Sequence, residues 1–370
     1  MQRRWFGIAG AAVIAMAALI TGCPGLWGGN DPGVAQAVTT RANLPHALAP
    51  AADGRVFYTE KNTGAIRVIS DGVLLDEPFA DVPVNYAGDR GLLGIALHPL
   101  FAQNGRVYVC YTRSDTGVDT NHPQAVVDQR IVYFEAAGDV ARAGEVFVAS
   151  LPVGAIARIG AYLTFGPDDR LYMTYGDHTD VDAALDRLSF FGKVLRFNDD
   201  GTIPPDNPFA GSAIYAEGLR EPRGLAFDPD TGTGWIVERG PNGLSEFNLL
   251  QAGANYGWPA IAGFAGPADE DFLAENANYV DPVATRDLEL VGAAFNPSTK
   301  YGPNVALQLY SGGPSGRVLR FELNTERTSI TEGAIAVSGL PSPLTNVAFT
   351  PAGTLYIAAQ SAVLRVVTPD

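Results

Sequence analysis

Apolar and polar residues alternate in short runs along most of the chain, and the clearest run starts at Leu163. Leu163 and Phe165 flank Thr164, Gly166-Pro167-Asp168-Asp169 supplies turn chemistry, and Leu171, Met173 and Tyr175 alternate again. A period of two marks half-buried strands, and the Gly-Pro-Asp string marks the hairpin between them. Residues 192–197 (GKVLRF) read as a third strand, closed by the turn Asp199-Asp200-Gly201. Asp177 falls at the exposed end of the second strand, a place where rigid scaffolds present chemistry.

This unit recurs. Copies begin at His46, Gly94, Leu163, Gly224, Gly292 and Asn346. The starts lie roughly 50 to 70 residues apart, near the spacing of propeller blades with inserted loops. An aromatic residue recurs in the second strand, as Phe57, Tyr108, Tyr172, Trp235 and Tyr356. Those rings are expected in the core. No segment carries a long 3.6-residue pattern, and the one weak helical candidate is 181–191. The 42 glycines and 26 prolines suit many short strands. The expected class is all-β, a six-bladed β-propeller over residues 43–370, with a β-sandwich with irregular loops as the rival.

The first residues follow a different pattern. Arg3 and Arg4 precede an apolar stretch at 7–20, too short to span a bilayer comfortably. Ile20-Thr21-Gly22-Cys23 matches a lipobox, so residues 1–22 read as a signal peptide and Cys23 as the lipidated thiol. Residues 23–42, rich in Gly, Pro and Ala, read as a flexible tether. The expectation is an exported protein held by lipid to a bacterial membrane, in the periplasm or at the cell surface.

The formal net charge of −15 argues against nucleic acid and against electrostatic docking on anionic lipid. Contact with the membrane is therefore expected through the lipid anchor only. With Cys23 acylated, Cys110 has no disulfide partner and is expected to be a small buried hydrophobe.

There are four histidines. His98 suits a turn, His122 a solvated polar loop, and His46 either a structural or a site role at the channel mouth. His178 directly follows Asp177 and is expected to point away from it. Asp199-Asp200 and Asp228-Pro229-Asp230 resemble metal loops, but they recur as blade turns and are read as turns. Residues 269–271 form an acidic insert expected between the fourth and fifth blades.

Five strings carry a family resemblance: GLLGIALHPLF from Gly91, FGPDDRLYMTYGD from Phe165, GKVLRFNDDGTIPPDNPF from Gly192, GLREPRGLAFDPDTG from Gly218, and ERGPNGLSEFNLLQAGANYGWP from Glu238. In this order and spacing they resemble the soluble dehydrogenases of glucose and other aldoses that depend on pyrroloquinoline quinone (PQQ), the glucose/sorbosone dehydrogenase family. The family fold is a six-bladed propeller. The resemblance implies PQQ lying across the channel mouth, held by calcium and arginines. It also implies a His–Asp pair that takes the proton of the sugar's anomeric hydroxyl while hydride passes to the quinone, leaving a lactone.

Carried over position by position, the resemblance places Arg158 where the family has its catalytic histidine, with Asp177 as the partner carboxylate. An arginine has no lone pair to accept a proton at neutral pH and cannot act as a general base. Asp89 stands at a glutamine that faces the cofactor. Arg220 keeps a cofactor arginine. Glu221, Arg223, Arg239 and Ser245 replace Asn, Gln, Gln or His, and an acidic residue. Lys300, Arg317 and Arg320 are the candidates for the quinone's carboxylates.

The backbone oxygens of Gly240 and Pro241 are implied ligands of the cofactor's calcium. Glu246, with the Tyr256 carbonyl, is implied at a second, structural calcium. Oxygen-only ligation is what calcium prefers.

Three functions follow as expectations. One is PQQ- and calcium-dependent oxidation of aldoses at a rearranged site. The second is a non-catalytic propeller binding a sugar, another small ligand or a protein at the channel mouth. The third is a calcium-dependent lactonase. A propeller hosts all three, so the choice rests on the site.

Overall fold

The computed structural model describes residues 19–20, 34–313 and 315–367. The signal segment, apart from the two-residue strand Leu19–Ile20, and the lipobox with Cys23 lie outside the described residues, as does the tether up to Gly33.

Six antiparallel sheets stand around a central axis. Their inner strands are Pro45–Pro50, Leu92–Leu97, Gly160–Phe165, Pro222–Phe227, Val291–Phe295 and Leu344–Phe349. Each inner strand packs against the next, and Leu344–Phe349 returns to Pro45–Pro50, so the ring closes. These starts coincide with the repeat read from the sequence.

The last blade is completed from the other end of the chain. Val34–Thr39 pairs antiparallel with Ala362–Val367, from Val34 opposite Val367 to Thr39 opposite Val363. The tether expected through Ala42 therefore ends earlier. Its last part carries Val34, Ala35 and Val38, enough apolar surface to dock as a strand, and Ala35 is only 1% exposed.

The recurring aromatics are buried where neighbouring sheets meet. Phe57, Tyr108 and Trp235 are fully buried, and Tyr172 and Tyr356 nearly so. Tyr310 holds the same place in the fifth blade, with no accessible surface. Between blades four and five, Trp235, Val237 and Phe247 pack with Leu290, Phe295, Leu309 and Phe321. Burying a side chain of this size stabilises by roughly 1.5–3 kcal/mol.

Two local expectations change. Residues 181–191 hold only a single 3₁₀ turn, Asp182–Ala184, because the loop is tied down by its carbonyls and not by helical periodicity. Lys193 Nζ donates to the carbonyls of Ala183, Ala184 and Phe191, each at 2.8 Å. The acidic insert lies within blade four, between Ser245–Leu249 and Ala284–Arg286, and includes a short helix, Glu270–Glu275.

The inner strands share one irregularity. Each breaks register near its N-terminal end: between Pro45 and Leu48, Leu92 and Gly94, Gly160 and Leu163, Pro222 and Gly224, Val291 and Ala294, and Leu344 and Asn346. Bulges of this kind re-aim side chains, here beside the channel. Toward the opposite end the channel widens into a cavity of about 530 Å³, bounded by Leu97, Phe165, Phe227, Phe295 and Phe349.

Closure by Val34–Thr39 predicts that Ala35→Asp, which buries an unpaired carboxylate, lowers unfolding free energy by on the order of 3 kcal/mol in urea melts. Gln36→Glu on the partly exposed side of the same strand is expected to shift it by no more than about 0.5 kcal/mol. Equal effects of the two would mean that the strand does not close the ring.

Candidate functional site

Loops that enter the inner strands, and loops that join second to third strands, emerge on one face. Asp89, Arg158, Arg220 and Glu221 lie on the first kind of loop. Asp177, Gly240 and Pro241 lie on the second kind, with Arg239 at the end of the strand just before it. Topology thus assembles at one channel mouth residues that are far apart in sequence.

Asp177 is the centre of this mouth, with no accessible surface. Its Oδ2 accepts from Arg158 Nη1 at 2.9 Å and from the Trp258 indole at 3.0 Å, and its Oδ1 accepts from the Thr179 amide at 2.8 Å. Its own amide donates to the Arg220 carbonyl at 2.8 Å. Arg158 is held in turn by Asp89, whose Oδ2 accepts from the Arg158 amide at 2.9 Å. Arg158, His178 and Thr179 all lie at positive φ, at 57°, 50° and 68°. Such backbone is costly for non-glycine residues and persists where surroundings over-determine it.

A second network adjoins the first. Arg220 stacks over Trp258 at 5.5 Å and donates to the carbonyls of Arg239 and Gly240, at 3.2 and 2.9 Å. Burial, aided by the Arg158 charge, lowers the Arg220 pKa from its usual value. The Glu221 carboxylate holds Arg223 at 2.6 Å and Arg239 at 3.5 Å, and Arg239 also pairs with Glu289. Arg158, Arg223 and Arg239 are therefore each engaged by a carboxylate. Ser245 is spent on structure, its Oγ accepting from the Leu290 amide at 3.0 Å.

Beneath this network Glu238 and Glu246 face each other across paired strands, both buried. Burial pushes the pKa of each carboxyl up, and the Glu246 charge adds to the rise at Glu238. Glu246 accepts from the Gly263 amide at 2.6 Å. The buried Asn248 amide stands beside the Glu246 carboxylate and favours its charged form, opposing the effect of burial. Tyr256 is buried near Glu238, its hydroxyl donating to the Leu249 carbonyl at 2.6 Å. No cluster of three or more His, Cys, Asp or Glu is placed to hold a metal among the described residues.

The candidates divide accordingly. Asp89, Arg158, Asp177, Arg220, Arg239 and Gly240 meet at the mouth. Pro241 is beside them, its carbonyl accepting from the Leu244 amide at 3.1 Å. Glu246 and Tyr256 lie just below. Arg317 begins its strand on the mouth face and is exposed. Lys300 is a correction. It sits in the loop after Val291–Phe295, at the opposite end of the channel, with Nζ on Thr354 Oγ1 at 2.5 Å. The strings that carry the resemblance end at Pro259, and a shift across a blade hairpin exchanges the two faces. Arg320 lies mid-strand and pairs with Glu322 at 2.8 Å.

The histidines resolve too. His98 is a turn residue, its Nδ1 accepting from the Leu100 amide at 3.0 Å, and His122 is exposed. His178 Nδ1 accepts from the Gly154 amide at 3.1 Å while its ring stacks on Phe191, and burial lowers its pKa to about 3. It is a neutral packing residue and not a substitute base.

Sequence reasoning assigned no role to Trp258, Glu289 or Lys193. Trp258 sits in the quoted string ending NYGWP, and a tryptophan in a polar insert was the signal available.

Comparison with known proteins agrees with this architecture. Residues 42–366 match the glucose/sorbosone dehydrogenase family. Quinoprotein glucose dehydrogenase B of Acinetobacter calcoaceticus is 34% identical over 292 residues, covering 71% of this chain and 60% of that protein. The aldose sugar dehydrogenase YliI of Escherichia coli is 29% identical over 350 residues, 90% of this chain and 91% of that one. The PQQ-bound form of an aldose sugar dehydrogenase from Streptomyces coelicolor superposes with a TM-score of 0.74 at 26% identity, over 90% of this chain and 98% of that chain. With six blades, inner strands in the family's order and a match over nearly the whole propeller, the chain belongs to the glucose/sorbosone dehydrogenase family.

Proposed function

We propose that this protein is an exported, lipid-anchored propeller that binds a small polar ligand of the sugar class at its channel mouth without oxidising it. The observation that carries this reading is the Arg158–Asp177 pair, 2.9 Å apart, at the position of the family's proton-abstracting dyad. Arg158 has no lone pair to offer at neutral pH. Asp177 already accepts from Arg158, Trp258 and the Thr179 amide, so a ligand hydroxyl meets no free base there.

The same geometry argues against PQQ, a tricarboxylate. Asp89 and Glu221 add negative charge where the group would lie, and the guanidiniums of Arg158, Arg223 and Arg239 are already paired. Arg220 Nη1 occupies the Gly240 carbonyl, so a second cation at that oxygen meets a guanidinium. The mouth does not fit this cofactor.

Calcium is a separate matter. Two opposed buried carboxylates, Glu238 and Glu246, with the Asn248 amide beside Glu246, offer hard oxygens of the kind a structural calcium takes. That site lies below the mouth, and a lactonase would need its carboxylates in the mouth.

The second reading, aldose oxidation with PQQ and calcium, is favoured by the relatives above and by the retained Asp177 and Arg220. An absorbance titration with PQQ and calcium, followed by turnover of an aldose panel with an artificial electron acceptor, separates the two. Little or no turnover is expected, and Arg158→His alone is expected to restore little. Robust wild-type turnover abolished by Asp177→Asn would establish the dehydrogenase reading instead. For the structural calcium, chelation is expected to lower the melting temperature of wild type by several degrees and to leave Glu246→Gln unchanged. Equal shifts in both proteins would remove calcium from this site. For the anchor, Cys23→Ser is expected to move the protein out of the membrane fraction, and a mutant that stays there at mature size is held by something else.

A further inference from the structure

The bulges of the inner strands bring side chains together at the waist of the channel, just below the mouth. His46 Nδ1 lies 2.8 Å from the Leu93 carbonyl, joining blades one and two. The His46 and Tyr162 rings are 5.5 Å apart and tilted by 36°. Tyr162 Oη reaches the Thr345 carbonyl at 3.4 Å, and Thr345 Oγ1 donates to the Pro45 carbonyl. Tyr162 belongs to blade three and Thr345 to blade six, on opposite sides of the ring. The tyrosine therefore crosses the channel, and it also lines the cavity beneath.

At this level His46 Nε2 and Arg223 Nη1 have no hydrogen-bond partner among the described residues. A carbonyl only accepts, so His46 Nδ1 carries the hydrogen and Nε2 keeps its lone pair. His46 is partly exposed, and no described residue bonds Nε2. Burial lowers its pKa to about 4, which keeps the ring neutral near pH 7. Arg223 binds Glu221 Oε1 through Nε at 2.8 Å and Nη2 at 2.6 Å, which leaves Nη1 without a bond among the described residues. Arg223 lies in the bulge after Pro222 on the next inner strand, and Thr174 Oγ1 ties that bulge to Tyr162, donating to the Pro222 carbonyl and accepting from the Tyr162 amide, each at 3.3 Å. The charges of Arg223 and Asp89 are felt at both His46 and Tyr162.

We propose that this waist is the floor of the ligand site, where His46 Nε2 accepts and Arg223 Nη1 donates hydrogen bonds to the hydroxyls of a neutral polyol lying against Tyr162. The inference rests on the mouth being a sugar-class binding site. Charge selects the class. An anion there meets Asp89 and Glu221, and a cation meets Arg223, whereas a hydroxyl satisfies a donor and an acceptor at once.

The test is an NMR titration of the full chain with ¹⁵N-labelled histidine and tryptophan at neutral pH, using D-glucose, D-xylose and myo-inositol as probes. His46 is identified by tautomer, because His98 and His178 use Nδ1 as the acceptor and so carry hydrogen on Nε2. A saturable shift of the unprotonated His46 Nε2 is expected, with the His178 signals unmoved. His46→Gln is expected to weaken binding by about tenfold, the loss of a single hydrogen bond. If that variant fails to fold, the wild-type spectrum decides alone. Saturable movement of the Trp258 indole with His46 Nε2 unmoved places the ligand higher in the mouth; it overturns the floor and leaves the binding reading intact. No saturable shift with any probe overturns the binding reading, and the floor falls with it.

Discussion

Ring closure is the constraint on which everything else depends. A radial sheet exposes two apolar faces, and each must be covered by a neighbour. Six sheets solve this only if the last meets the first. Here the meeting is held by main-chain hydrogen bonds, because Val34–Thr39 pairs with Ala362–Val367, far away along the chain. The first and last parts of the domain are thereby held in one blade. Closure also sets the channel, since the inner strands have no choice but to face one another.

The channel mouth inherits its geometry from that ring and its chemistry from loops. Around Asp177, cations and carboxylates are matched. Arg158 pairs with Asp177, Glu221 with Arg223 and Arg239, and Arg239 also with Glu289. Half-buried charges are tolerated when paired and costly when single. Positions that are neutral or differently charged in the family resemblance have thus become a mutually satisfied set. Such a set holds the mouth together, and both oxygens of Asp177 accept from neighbours within it. His46, one level deeper and on a different blade, carries a lone pair with no donor among the described residues.

Much of the architecture was legible in the sequence. Alternating strands, Gly-Pro-Asp turns and one aromatic per unit specify blades, because each unit satisfies its own hydrogen bonds locally and repeats. The same locality explains why Arg158 and Asp177 were readable as a pair: they lie on loops at the same end of two neighbouring strands of a single blade. Pro24 to Ala42 was harder, since six residues with modest apolar content look alike as a tether or as an edge strand until a partner edge is available.

The sequence by itself determined the number of blades, the place of the buried aromatics, and the arginine that stands where a base is expected. Only the tertiary structure decided which distant residues share a space. Trp258 meets Asp177 from an insert in the next blade, and Glu289 meets Arg239 across a blade boundary. Tyr162 spans the channel to Thr345, and Lys300 falls on the opposite face. None of these pairings has a local sequence signal, although Trp258 itself stood out as a tryptophan in a polar insert. Radial packing brings loops together by angle around the axis, and that angle exists only once the ring has closed.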